Sequence, residues 1–334
     1  MSTPYLIPNL LSHKIKGLKA SKLELDWENF VEIVQKELPD SYKQQFTPCS
    51  ESQEFGLNPW SGTQILEEAI SFLLKGWKEG ADTLKKVQES LPKELFEKIL
   101  PSQSFQKTQH HVVSGGTIDM GMAVSDCGPT HFVEETQDEN SIKIGNKLQT
   151  IYMNCANNSN IDPDMFFVRG SLMYSLIYHL ETIGFNTEVY AYFPISNSSW
   201  GRDSSECTIT YIKIKSFNEM FDEHKMLVAI CSAFMLRRFV FRLEEMFETK
   251  VIKLYGFDNM TTKGGYGSTM QSITPEELKI NEKENSLVFD VANENNKEQI
   301  IEKFKLMLTG LYKIVSHDGL GDQFGEGNEG SWAM

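Results

Sequence analysis

The sequence predicts an α/β fold: a mostly parallel sheet flanked by helices, with a mainly helical region before it. From residue 147 onward, strand-like and helix-like segments alternate, which is typical of a parallel sheet covered on both faces. Before residue 110, apolar residues recur mainly at helical spacing. The chain has 334 residues and is 40% hydrophobic, which is enough for a substantial core.

The first predicted region, residues 1–140, is mainly helical. We expect one helix at 27–38 and a longer one from 63 to about 91, because apolar residues in both recur on one helical face. Alternating residues broken by Gly115-Gly116 predict a β-hairpin near 111–123.

Residues 141–315 form the predicted α/β domain, which opens with a strand-helix-strand unit. Strands at 148–153 and 188–193 flank a helix that begins at Asp162-Pro163. Asp is a favoured N-cap, and Pro is favoured at the first helical position. A crossover of this kind makes the two strands parallel, with the helix on one face of the sheet.

The rest of this domain continues the alternation. A strand is predicted at 208–215, a helix from a capping box at 216–219 to residue 247, a strand at 286–291 and a helix at 297–314. The tail that follows, 316–334, is rich in Gly and acidic residues, so we expect it to be disordered or to dock on a partner.

Charge and composition restrict the classes of function. The chain has 32 Lys and Arg residues against 46 Asp and Glu residues, a formal net charge of −14. An acidic surface gains little from counterion release, so sequence-independent binding to nucleic acid is not expected.

The sequence predicts neither a membrane segment nor an oxidising compartment. Its longest apolar run, 226–236, is much shorter than the roughly 20 residues that span a bilayer. The five cysteines are scattered and never form a CxxC pair, which argues against a disulfide framework and a zinc site. A cytoplasmic location is therefore expected.

The candidate ligand site is the polar loop 154–160, which follows the first strand of the α/β domain. Because ligands bind at the carboxyl ends of parallel strands, Asn154, Asn157, Asn158 and Ser159 are candidate binding residues. Their oxygens suit a hydrated divalent cation, and backbone N–H groups before a helix suit an anion. The alternative is that these residues only turn the chain and cap the helix.

Three arginines are further candidates for binding a ligand or a partner. Arg169 falls two turns into the first helix of the α/β domain, and Arg237-Arg238 end the most apolar run. Each suits an anionic ligand, but the interpretation that we favour is an internal ion pair with a structural role.

No sequence motif for catalysis is present. The glycine cluster at 263–269 matches neither phosphate-binding motif, and HExxH and GxSxG do not occur. The sequence therefore favours a protein that is not an enzyme.

Four segments resemble, in this order, an uncharacterised family of tailed-phage proteins. They are GWKEGADTL at 76–84, SGGTIDMGMAVSDCGP at 114–129, RGSLMYSLIYHLETIGFNTEVYAY at 169–192 and AFMLRRFVFRLEEMF at 233–247. The strand, polar loop and helix around Arg169-Gly170 also resemble the first strand-helix-strand unit of von Willebrand factor A-like domains. The first resemblance implies a phage protein, and the second implies a Rossmann-like domain in the second half of the chain.

The A-domain resemblance implies a degenerate metal site. That family holds a divalent cation with a DxSxS motif, whereas Asn154, Ala156 and Asn158 stand at those positions here. A neutral carboxamide is a weaker ligand for a hard cation than a carboxylate. Any metal would therefore be held by Asn154 and Asn158 together with Asp203 or Asp258 from other loops.

These observations lead us to expect a noncatalytic, phage-encoded interaction or assembly module that binds a protein in the host cytoplasm. We expect no cofactor, although the sequence leaves the binding of a divalent cation open. One alternative is a metal-dependent hydrolase or nucleotide-acting enzyme that uses Asp203, Asp258 and a glycine lid at 264–267. The other alternative is a structural protein of the virion.

Overall fold

The structure is a computed structural model of the chain. It describes residues 13–15, 18–38, 40–44, 47–56, 59–91, 108–112, 117–118, 132–136, 147–158, 160–182, 185–196, 206–248, 268–270, 286–291 and 294–315.

The chain divides into two compact units. One contains residues 1–92 and 146–314, and the other contains 93–145 and 315–334. The domain boundaries expected from the sequence, 1–140, 141–315 and 316–334, stay predictions.

The larger unit contains a seven-stranded sheet. The order of its main path is β1-β2-β8-β7-β6-β10, and β9 pairs with β7. Its strands are β1 His13–Ile15, β2 Leu18–Asp26, β6 Lys147–Asn154, β7 Phe185–Ser196, β8 Glu206–Lys215, β9 Ser268–Thr269 and β10 Ser286–Phe289.

The sheet is mixed, which corrects the expectation of a mostly parallel one. β6 is parallel to β7 and β10, and β2 is parallel to β8. The pairs β1–β2, β7–β8 and β7–β9 are antiparallel. β7 and β8 are consecutive strands whose connection, from Ser196 to Glu206, is shorter than the dozen or so residues that a parallel crossover needs.

The described helices alternate with these strands, so the α/β class is confirmed. Their bounds are α1 Trp27–Val34, α2 Asp40–Lys43, α3 Leu66–Lys75, α4 Lys78–Ser90, α5 Pro163–Thr182, α6 Glu223–Cys231, a π-helix at Met235–Val240, α7 Phe241–Glu248 and α8 Lys297–Val315. None of these described helices combines the length and the hydropathy needed to span a bilayer.

Helices near the N-terminus are also confirmed, but a strand of the main sheet precedes them. β2 pairs along its length with β8, from Lys19 opposite Glu206 to Asp26 opposite Lys213. Asp26 then caps α1, because its carboxylate accepts the backbone N–H of Asn29 at 2.8 Å. The N-terminal segment therefore belongs to the sheet as well as to the helical layer.

The helix predicted from 63 to 91 is two helices. α3 ends at Gly76, whose φ of 101° is a left-handed conformation that glycine adopts without steric cost. α4 then begins at Lys78, and Trp77 packs over Gly80 in its first turn.

The helix predicted from 216 to 247 is also broken into shorter helices. Glu219 accepts the N–H of Ser216 at 2.7 Å, as the capping box predicts, but α6 begins only after Asp222. The Asp222 carboxylate caps α6 by accepting the N–H groups of His224 and Lys225. A π-helix and α7 follow α6.

The core of the larger unit lies between the sheet and α5. Gly170 lies against α6, because a Cβ at this position would be only 2.1 Å from the Cys231 sulfur. Fully buried side chains from both layers fill the space, including Leu172, Leu176, Val189, Phe193 and Ile212. The larger unit thus has a buried apolar core between these two layers.

The smaller unit contains a three-stranded antiparallel sheet. Its strands are β3 Thr108–Val112, β4 Thr117–Ile118 and β5 Phe132–Thr136, in the order β3-β5-β4. The strands before and after Gly115-Gly116 therefore each pair with β5.

Candidate functional site

The predicted ligand loop lies at the carboxyl edge of the main sheet, where β6, β7 and β10 end. Asn154 is the last residue of β6 and is opposite Tyr192 of β7. The loop then leads to Asp162, whose carboxylate accepts the N–H of Asp164 at 3.0 Å near the start of α5. The loop is thus at the position that the sequence predicts.

The Asn154 carboxamide links three parts of this edge. Its nitrogen donates to the Met270 carbonyl at 3.2 Å and to the Asp290 carboxylate at 2.9 Å. Its oxygen accepts the N–H of Ala156 at 3.0 Å. Asn154 is fully buried, so both ends of its side chain are used inside the protein.

Asn157 and Asn158 extend these links to other elements. The buried Asn157 donates to the Cys155 carbonyl at 2.8 Å and accepts from Arg169. The exposed Asn158 accepts from the Thr269 hydroxyl at 2.6 Å. The loop is therefore tied both to α5 and to β9.

Arg169 lies beneath the loop, on α5, and is 2% exposed. Its Nε donates to the Met165 carbonyl at 3.1 Å, and its guanidinium lies 4.7 Å from the centre of the Phe166 ring. Burial, with a small contribution from the nearby Arg237, lowers the pKa of Arg169 to about 10.

Arg237 holds the same loop from the π-helix. It donates to the carbonyl of Asn158 at 3.1 Å and to that of Trp60, and its guanidinium lies 4.6 Å from the centre of the Trp60 ring. Burial lowers the pKa of Arg237 to about 10. Arg169 and Arg237 therefore bring two buried positive charges close to Phe166, 4.7 and 5.5 Å from the centre of its ring.

Arg238, the next residue of the π-helix, points to a different segment. It is fully buried and donates to four backbone carbonyls and one hydroxyl of residues 50–64. Its acceptors are Ser50 O, Ser52 O, Thr63 O, Gln64 O and Thr63 Oγ1, at 2.6 to 3.3 Å. Burial lowers the pKa of Arg238. Its forked donors thus fix this segment to the helical layer.

Arg237 and Arg238 are consecutive residues of the π-helix, so their side chains leave it in different directions and reach different partners. Its wider turn inserts an extra residue into a helical path and re-aims the side chains around it. The sequence of Met235–Val240, MLRRFV, has no signal that distinguishes a π-helix from an ordinary α-helix.

Asp290 is a site residue that the sequence analysis missed. It follows β10 directly and meets Asn154 at the sheet edge. The signal was a single acidic residue at the end of the predicted strand 286–291, at the same edge as loop 154–160.

Three sequence-predicted residues, Ser159, Asp203 and Asp258, lie outside the described residues. Within the part of the chain that the structure describes, no group of three or more His, Cys, Asp or Glu side chains is placed to hold a metal ion.

A second missed feature is a row of tyrosines on one face of the sheet. Tyr152 and Tyr190 stack with ring centres 5.0 Å apart, and Tyr192 and Tyr211 continue the row. Burial raises the pKa of Tyr152 to about 12, with a contribution from the negative charges of Glu188 and Glu24.

A groove opens away from the sheet edge, between helices α3, α4, α5 and α6. Its volume is about 750 Å³. Residues from all four helices line it, among them Leu74, Trp77, Lys78, Lys85, Tyr174 and Leu227.

Apolar side chains around the groove are exposed. Leu74 on its lining is 51% exposed. Phe221 contacts the lining residue Tyr174 and also Tyr178, which is 58% exposed. Exposed apolar surface that adjoins a groove is typical of a docking site for another protein.

Comparison with known proteins identifies one family whose model matches this chain. The model of a family described as a domain of unknown function (DUF7192) matches residues 19–313. No curated protein and no solved structure matches the chain.

Proposed function

The chain belongs to the DUF7192 family, and we propose that it is a noncatalytic interaction module that holds a protein partner in the groove between α3, α4, α5 and α6. The observation that carries this proposal is the groove itself, with the exposed side chain of Leu74 on its lining.

The sheet edge supports the proposal by the way its polar groups are used. Asn154, Asn157 and Arg169 are buried and use their hydrogen bonds on carbonyls and side chains of this chain. Groups used in this way stabilise the loops, because leaving a buried donor without its acceptor is costly. The edge acts as the scaffold, and the groove acts as the binding surface.

The finer parts of the proposal come from the sequence. The four segments that resemble tailed-phage proteins support a phage origin, and with it action in the cytoplasm of an infected cell. The parallel β6-α5-β7 unit is compatible with a degenerate A-like domain.

The proposal is tested by photocrosslinking in cells. A benzoylphenylalanine residue replaces Leu74 in the groove or, as a control, Leu306 on α8, which is 66% exposed. We expect position 74 to give one discrete crosslinked protein that position 306 does not give. Identical crosslinks at both positions, or none at either, would overturn the proposal.

The identified partner is then purified and its affinity measured. We expect Leu74→Ser to weaken binding about tenfold, because truncating an apolar contact at an interface costs on the order of 1 to 2 kcal/mol. Leu306→Ser should leave the affinity within about twofold of wild type.

A further inference from the structure

We infer that the groove binds an acidic amphipathic helix of the partner protein, an inference that rests on the proposed function. Three features of the groove support this ligand: the charges of its lining, the packing of Trp77 and the length of α4.

The lysines of α3 and α4, namely Lys75, Lys78, Lys85 and Lys86, differ from the other described lysines, and three of these four line the groove. Lys75, Lys78 and Lys85 are exposed, line the groove and have no ion pair or hydrogen bond among the described residues. Outside α3 and α4, each lysine with a described side chain has such a partner; these are Lys22, Lys36, Lys43, Lys213, Lys215, Lys225, Lys297, Lys303 and Lys305.

This arrangement favours an acidic ligand. The groove is lined by three lysines without ion pairs among the described residues and by two acidic residues, Asp82 and Glu223. The lysines outnumber the acidic residues by one, so the lining keeps a formal positive charge, which is a local exception in a chain with a net charge of −14. Glu223 is also hydrogen-bonded to Tyr174 of this chain. Carboxylates on the partner would complement the lysines.

The packing of Trp77 favours a protein segment over a nucleotide. A base would need a free aromatic face on which to stack. The Trp77 ring already contacts Phe72, Phe167 and Phe234, with ring centres 5.2 to 5.9 Å apart, and it packs over Gly80.

The shape of the groove fits a helix. α4, which forms one wall, has 13 residues and is therefore about 20 Å long. A partner helix of three to four turns matches this length, with apolar residues at i, i+3, i+4 and i+7 facing Leu74 and Tyr174. Its flanking residues would then lie near Lys78 and Lys85.

The inference is tested with two designed 18-residue helical peptides of identical leucine spacing. One carries Glu and the other Lys at the flanking positions, and each is labelled with fluorescein. Binding to the full chain is measured by fluorescence anisotropy. We expect the Glu peptide to bind about tenfold more tightly than the Lys peptide at low salt, and the difference to shrink in 0.5 M NaCl.

Charge variants test whether Lys78 and Lys85 cause the preference for the Glu peptide. The double variant K78E/K85E should reverse the preference between the peptides. The control K86E changes the neighbouring exposed lysine on the same helix, which does not line the groove, and should leave both affinities within about twofold.

The outcomes separate this inference from the proposed function. Equal binding of both peptides, lost in Leu74→Ser, would overturn the acidic partner and leave the groove as a docking site. Failure of the Glu peptide to bind at 1 mM would also overturn the inference, whereas the crosslinks at position 74 decide the proposed function separately.

Discussion

Replacing Gly170 by Ala tests the packing between α5 and α6. The added Cβ would lie 2.1 Å from the Cys231 sulfur and 3.2 Å from its Cβ. Cys231 is 2% exposed, so it has little room to move. Overpacking of this kind costs about 1 to 3 kcal/mol, whereas Ala gains about 1 kcal/mol over Gly in a helix. We expect a net loss of about 1 kcal/mol in the free energy of unfolding.

A double-mutant cycle isolates the contact. In the Cys231→Ala background the sulfur is gone, so Gly170→Ala should be neutral or stabilising, with a coupling of about 1 to 2 kcal/mol. Urea unfolding followed by tryptophan fluorescence measures all four proteins, and a shift in midpoint at constant slope reports stability. A stabilising effect of Gly170→Ala in the wild-type background, or an equal loss in both backgrounds, would refute this reasoning.

Three further predictions concern the arginines, the tyrosines and Asn154. Arg238→Lys should lower the free energy of unfolding by about 2 to 4 kcal/mol. This loss should exceed that of Arg237→Lys, because Arg238 donates to four backbone carbonyls and Arg237 to two. Urea unfolding of both variants measures which of them loses more stability. The raised pKa of Tyr152, about 12, favours its neutral form in the folded state, so its contribution to stability should be complete below pH 10 and be lost as the pH rises through 12. The difference in absorbance at 295 nm between wild type and Tyr152→Phe separates this tyrosine from exposed ones such as Tyr178, and this difference should appear only together with unfolding; a difference that develops near pH 10 in the folded protein would contradict the prediction. Asn154→Asp places a second carboxylate beside Asp290, so repulsion should lower the melting temperature at pH 7. The decrease should be smaller at pH 4, where carboxylates begin to be protonated. Full rescue of the melting temperature by millimolar Mg²⁺ would instead indicate a cation site at this edge.

The sequence predicts best the elements that carry their own local signals. Asp162-Pro163 sets the start of α5, and the parallel pair β6 and β7 follows from the crossover that α5 makes. The strand at 286–289 and the helix that follows it also come from simple periodicity.

Other elements depend on contacts that no local pattern contains. β2, with the sequence LKASKLELD, has four charged residues among nine and no β-branched or aromatic residue, so its strand propensity is low and its place in the sheet comes from pairing with β8. The π-helix likewise contains Arg237 and Arg238, whose hydrogen-bond partners lie up to 188 residues away in the chain.

The candidate site also combines features that local sequence signals predict with features that depend on distant contacts. The position of loop 154–160 is predictable from the rule for the carboxyl ends of strands. The acceptors of Asn154 are not, because Met270 and Asp290 are 116 and 136 residues further along the chain. The groove has no motif at all, since four helices build it from residues spread between 74 and 227.

The central claim is that the groove of α3, α4, α5 and α6 is where this protein holds its partner. Isothermal titration of the crosslinked partner, once purified, against wild type, Leu74→Ser and Leu306→Ser tests it most directly. We expect the dissociation constant of Leu74→Ser to be about tenfold higher than that of wild type, and that of Leu306→Ser to stay within about twofold of wild type. Equal affinities of the two variants would contradict it.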